Sequence, residues 1–430
     1  MAPGTRGRRG GAGSTRRQFL LGGAVAGVGA AGAVGLDHVL TARDGTPAAE
    51  ETLAVNAPAD ADPAGGSTGN GARTVPFHGT HQAGVATHPQ AHAVFIALDL
   101  RPDVDREALA RMMRILTDDA ARLSRGEPAL ADTEPELAMT PARLTVTFGF
   151  GPALVARAQG VAPSWLHPLP AFGIDRLQPA WSEGDLLLQV AADDPLTVAH
   201  ATRMLLKDSR SFATVRWTQR GFRRAHDSVP SGTTMRNLFG QVDGTVNPTV
   251  GTADFEEIVW SEQGWLAGGT AMVVRRIQMH LDRWDRLDRT GREQAIGRHL
   301  SNGAPLTSPA DDPGAEFDQP DFGATDGLGF SVIPEYAHVR RARSADPAEQ
   351  ILRRPYSYDD PFADGDEQVS NAGLIFVAFC ADVQTQFTPI QQRLDELDIL
   401  NEWTTPIGSA VFAVPPGCAL GGFIGETLLA

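Results

Sequence analysis

Lysine and cysteine are nearly missing from this sequence of 430 residues, which holds one lysine, Lys207, and two cysteines, Cys380 and Cys418. Two cysteines exclude a four-cysteine zinc cluster and a scaffold of several disulfides. They read as small buried hydrophobes rather than as a bridge. Positive charge is scarce too: 37 basic residues stand against 52 acidic ones, for a formal net charge of -15. A surface built to hold nucleic acid needs the opposite sign, so no nucleic-acid partner is expected. The sequence has no HExxH, no EF-hand loop, no GxSxG elbow, no Walker A motif and no GxGxxG after a strand. Closed zinc or calcium sites, serine-hydrolase chemistry and nucleotide cradles therefore lack local support. Beyond residue 36 no apolar run is long enough to span a membrane. What remains, with 42% hydrophobic and 21% charged residues, is ordinary globular composition suited to small-molecule partners.

The first residues carry an address. Arg6, Arg8, Arg9, Arg16 and Arg17 stand without an acid among residues 1–17, and a Gly/Ala-rich apolar run follows over 19–36. This is the basic region and apolar core of a secretory signal. The stretch STRRQFL at 14–20 resembles the twin-arginine export motif, which implies the export machinery as a partner and a periplasmic or extracellular location. Residues 1–48 are expected to be cleaved, leaving no stable membrane span. Residues 49–73, rich in Ala, Gly, Pro and Asp, read as a flexible linker.

From residue 74 the chain reads as one unit written twice. Strands are expected over 94–100, 144–150, 185–193 and 213–222. A helix from 103 carries Leu109, Met112, Met113 and Leu116 on one face, and a second follows the Asp194–Pro195 cap with Val198, Thr202 and Leu205. The second half repeats the pattern. It has strands at 271–277, 373–381 and 409–414, a charged helix through Trp284 and Leu287 toward Ile296, and a helix with Phe387, Ile390, Leu394 and Leu397. The order predicts an α+β fold of two ferredoxin-like halves, residues 74–235 and 236–430, each an antiparallel sheet covered by helices. A long polar region, about 297–358, has little period and invites a search for chemistry.

Two segments there and just before it stand out: NLFGQVDGTVNP at 237–248, and EYAHVRR at 335–341 with ILRRPY at 351–356. Taken singly, the first is a turn, since Asp-Gly and Asn-Pro are turn dipeptides, and His338 is an ordinary histidine. Together they resemble the dye-decolourising peroxidases, especially the exported branch that includes deferrochelatase-type proteins. The matching set is GxxDG at 240–244, VPFHGTHQAG at 75–84, residues 269–276, GRH at 297–299 with GAPL at 303–306, HVRRA, ILRRPYSY and GLIFVAFCADVQTQF, in order from about 75 to 417.

The resemblance implies a haem b peroxidase with helices around a haem pocket. It would reduce hydrogen peroxide and oxidise dyes or phenolic compounds by one-electron steps, with acidic pH favoured. The alternative it carries is an envelope haem-binding protein of iron acquisition. Homo-oligomerisation is left open. His338 matches the axial ligand of the haem iron, which a carboxylate on its other nitrogen would make more basic; Asp382 is the candidate for that partner. Asp243 matches the distal acid–base residue, and Arg353 the distal arginine whose fixed charge stabilises the departing oxygen. Arg354 is the neighbour that could be mistaken for it. Gly244, Thr245 and Val246 match a haem-edge stretch. Arg343, Ser344 and Ala345 match a haem-contacting stretch in which Arg343 would pair with a propionate. His280 and His299 are weaker ligand alternatives expected on solvated surface.

Overall fold

The structure, a computed structural model, describes residues 69–361 and 370–430. The expected signal peptide, and the linker up to residue 68, lie outside the described residues.

The first half forms as its pattern implies. Strands β1 (His92–Leu100), β2 (Thr145–Phe150), β3 (Leu186–Ala192) and β4 (Ala213–Phe222) lie side by side in the order β2-β3-β1-β4. All three pairings are antiparallel, the ferredoxin-like arrangement. The helices Arg106–Ser124 and Pro195–Ser209 start where side chains supply the missing acceptors. Asp105 accepts from Ala108 N, and Asp194 accepts from Thr197 N with Pro195 just inside. Leu109, Met112, Met113 and Leu116 are fully buried on the predicted face.

The second half follows the same plan. Its strands are β5 (Thr270–Met279), β6 (Leu352–Arg353), β7 (Tyr356–Asp360), β8 (Asn371–Cys380) and β9 (Thr404–Val414). β5 lies between β8 and β9, and β6 and β7 pair with β8. Contacts at Phe150–Ala413 and Phe222–Ser357 join the two halves at both edges, so one nine-stranded sheet closes on itself. Two expectations need correcting. The charged helix toward Ile296 is two pieces, Leu281–Trp284 and Arg289–Ile296, because Asp288 turns back to cap Gly291 N and starts a new helix. The polar region also ends in strands: β6 and β7 arise inside it, where short length and interruption at Arg354–Pro355 hide the alternation.

On most strands successive side chains feed two apolar clusters in turn. Val94, Ile96, Leu188, Val273 and Val411 join the cluster that packs against the first half's helices. Phe95, Ala97, Leu187, Met272, Val274, Val377 and Phe412 join a cluster shared by both halves. Both faces are therefore buried, which is why these strands read as unbroken apolar runs. Cys380 and Cys418 are buried and free, as their reading as hydrophobes implied. Among the described residues no helix is long and apolar enough to cross a membrane.

Candidate functional site

The site is built on the second half. Residues 235–243 double back on themselves: Arg236 and Val242 form an isolated bridge, Asn237 N donates to Gln241 O, and Asp243 N donates to Met235 O at 2.8 Å. Both motif glycines have positive φ, +78° at Gly240 and +133° at Gly244. Residues with a Cβ rarely adopt these conformations, so the two glycines of GxxDG set the turn that presents Asp243. Thr245 Oγ1 and Thr234 Oγ1 both donate to Glu316 Oε1, fixing the loop from outside.

Arg353 reaches this loop from β6. Its Nη1 donates to Asp243 Oδ1 at 2.8 Å. Neighbouring residues of a strand point to opposite faces, and that separates Arg353 from Arg354. The Arg354 side chain is fully buried on the other side, donating to the Thr87 carbonyl and to Gln90 Oε1. Burial depresses its proton affinity.

His338 opens the short helix His338–Ala342, the polar motif HVRRA of the sequence. Its Nδ1 lies 2.6 Å from Asp398 Oδ2. This corrects the expected partner. Asp382 is spent as a helix cap, its Oδ1 accepting from Gln384 N and Thr385 N. Asp398 is itself held by Leu400 N, which donates to Oδ1 at 3.0 Å. The sequence signal for Asp398 is faint: one carboxylate between Leu397 and Ile399, where an amphipathic helix ends. Burial alone would lower the proton affinity of His338, but the charge and hydrogen bond of Asp398 outweigh it and raise it. Among the described residues His338 Nε2 has no hydrogen-bond partner.

The three predicted groups come together. The charges of Arg353 and Asp243 both act on the His338 imidazole, the first lowering and the second raising its proton affinity. Within a buried region their side chains keep 31% (His338), 22% (Arg353) and 12% (Asp243) of their surface open, whereas Asp398 behind the imidazole keeps 3%. The open portions mark side chains that are not fully packed in a core. A second cation, buried Arg298, donates to the Gly303 and Glu316 carbonyls and feels the charges of Arg353 and Arg343. Sequence reading missed it inside GRH.

The remaining predicted residues lie around this centre. Gly244 and Thr245 are in its loop, and Val246 is half exposed beside them. Arg343 is exposed and donates to Gln319 Oε1; Ser344 Oγ accepts from Asp346 N, and Ala345 is exposed. His280 and His299 are half-buried and hydrogen-bonded, to Thr405 Oγ1 and the Ser308 carbonyl, rather than solvated. Among the described residues no three His, Cys, Asp or Glu side chains gather to hold a bare metal ion.

Comparison with known proteins agrees across the chain. Residues 82–223 match the family model described as "Dyp-type peroxidase, N-terminal" and residues 234–419 the one described as "Dyp-type peroxidase, C-terminal". A dye-decolorizing peroxidase of Thermobifida fusca is 37% identical over 97% of both chains. A deferrochelatase of Yersinia pestis is 34% identical over 80% of this chain and 82% of its own. The crystal structure of a DyP-type peroxidase from Cellulomonas bogoriensis superposes with a TM-score of 0.80 at 52% identity, covering 84% of this chain and 99% of that one.

Proposed function

The chain belongs to the Dyp-type peroxidases and is a haem peroxidase, and from that membership we propose that His338, Asp243 and Arg353 are its working residues. The side chains fit a haem. One imidazole offers Nε2 while a buried carboxylate holds Nδ1, the arrangement that fixes the tautomer and strengthens an axial ligand. An acid and a guanidinium, paired with each other, also keep part of their surface open. His338 would hold the iron, and the stretch at Gly244 and Thr245 would meet the porphyrin edge. Bound haem supplies the redox chemistry, taking oxidising equivalents from peroxide and releasing them one electron at a time.

The chain's own part is proton transfer and charge. Asp243 Oδ1 is engaged by Arg353, which leaves Oδ2 to accept a proton from one peroxide oxygen and deliver it to the other. Arg353 keeps its charge at working pH and stabilises the negative charge that gathers as the O–O bond lengthens. The observation that carries this reading is the 2.8 Å Asp243–Arg353 pair, together with the His338–Asp398 pair at 2.6 Å. Asp243→Asn is expected to load haem normally and to react with peroxide about 100-fold more slowly or worse. His338→Ala is expected to lose haem. An unchanged peroxide rate in the first, or full haem content in the second, removes that residue's role.

The relatives named deferrochelatase support a second activity, release of iron from haem in the cell envelope. Accumulation of iron-free porphyrin after incubation with haem distinguishes it from peroxide-driven turnover of a dye or phenol. Export by the twin-arginine route rests on Arg16 and Arg17 and the apolar run after them. Replacing both with lysine should trap the precursor in the cytoplasm; undiminished export would refute it.

A further inference from the structure

Arg353 is held by more than Asp243. Its backbone N–H donates to Asn247 Oδ1 at 3.0 Å, and its carbonyl accepts from Asn247 Nδ2 at 2.7 Å. One carboxamide thus satisfies both main-chain groups of one residue, the exchange that two strands make across a hydrogen-bonded pair. The position calls for it. β6 is two residues long and pairs only with β8 among the described strands, so its other edge is bare. Asn247 stands in for the missing strand.

Asp243 and Asn247 therefore grip the same arginine from one loop, the first at the guanidinium and the second at the main chain. We propose that Asn247 is a positioning residue: it sets where the Arg353 guanidinium stands beside Asp243 and so controls the reaction with peroxide. This rests on the reading of Arg353 given above. The loop has an independent attachment, Thr245 to Glu316, so removing the carboxamide should free Arg353 without unfolding the loop. Only an amide of this length completes both bonds. Aspartate still accepts from Arg353 N–H but sets an oxygen against the Arg353 carbonyl, and alanine leaves both groups unpaired.

The test uses four holoenzymes: Asn247→Ala, Asn247→Asp, Arg353→Ala and the double variant Asn247→Ala/Arg353→Ala. Haem content and the second-order rate with hydrogen peroxide, followed at the Soret band, are measured on all four, and hydrogen exchange at the Arg353 amide on the two Asn247 single variants. Asn247→Ala should raise amide exchange at 353 and slow the peroxide reaction by up to about 100-fold, the cost of misplacing a reacting group by about 1 Å. Asn247→Asp should keep the amide protected yet slow the reaction, and it carries the test if the alanine variant loads haem poorly. The double variant should react as Arg353→Ala does, because nothing remains to be positioned. A wild-type rate in both Asn247 variants, or effects that simply multiply in the double variant, overturns the proposal. A wild-type rate in Arg353→Ala overturns instead the reading of Arg353, and the clamp with it.

Discussion

Asp398→Asn is the sharpest probe of the axial side. The carboxylate is 3% exposed, lies 2.6 Å from His338 Nδ1 through one oxygen, and accepts from Leu400 N through the other. An asparagine has one acceptor oxygen where two are needed. If that oxygen faces His338, its NH2 faces the Leu400 N–H, donor against donor. A hydrogen bond to a charged group contributes about 1.5–3 kcal/mol and a neutral one about 0.5–1.5 kcal/mol, so losing the charge costs about 1 kcal/mol. Losing one of the two bonds adds a similar amount, again about 1 kcal/mol. Together they correspond to a loss of about 10- to 100-fold in haem affinity, at about 1.4 kcal/mol per tenfold. Titrating apoprotein with haem at the Soret band measures this directly. The midpoint potential of the iron should also move positive, since a weaker base donates less to it. Asp382→Asn is the control: asparagine caps a helix about as well as aspartate, so both stability and haem affinity should stay unchanged. Equal affinity and potential in Asp398→Asn, or an equal loss in Asp382→Asn, would refute the assignment.

Gly244→Ala should slow the peroxide reaction and lower thermal stability by about 1–3 kcal/mol, because φ is +133° there and a Cβ would lie 3.3 Å from Thr234 Cγ2; a neutral result would mean the loop can relax. Burial and the neighbouring Asp119 carboxyl push Asp208 up to about 7, so the folded state keeps a proton that the unfolded chain releases near the ordinary value of 3.8. Stability should therefore fall as pH rises from about 4 to about 7, and Asp208→Asn should flatten that slope in melting curves; an unaltered slope would refute it. Burial pushes the Cys418 thiol up to about 11 and raises Cys380 further. Neither thiol should react with a disulfide reagent at pH 8 in the folded enzyme, and both should in denaturant; prompt reaction of the native protein would contradict their burial.

The frame of the fold is legible in the residues because most long strands are apolar runs and each long helix of the first half has a cap and a period. β4 lies over Ala213–Phe222 as read. What the pattern hides is short or indirect. β6 has two residues, one of them Arg353, and no period can be seen in two. Asp398 was missed because a carboxylate after Leu397 looks like a helix end; only the fold brings it to His338, 60 residues away. Asn247 was read as half of a turn dipeptide, and its bonds to a chain segment 106 residues on leave no local trace. The pairing of Asp243 with Arg353 could be named beforehand only through resemblance to a family. Choosing Arg353 over Arg354 by physics needs the alternation of a strand that the sequence does not show.

Those adjacent arginines tie the two halves into one inheritance. Arg353 pairs with Asp243, and the next residue is seated in the first half, on the Thr87 carbonyl and on Gln90, whose own Nε2 donates to the Arg143 carbonyl and Thr145 Oγ1. The first half contributes none of the three proposed working side chains, yet it holds the peptide unit beside one of them. A chimera joining this second half to a relative's first half would therefore keep its chemistry only if the donor brought a matching seat for Arg354.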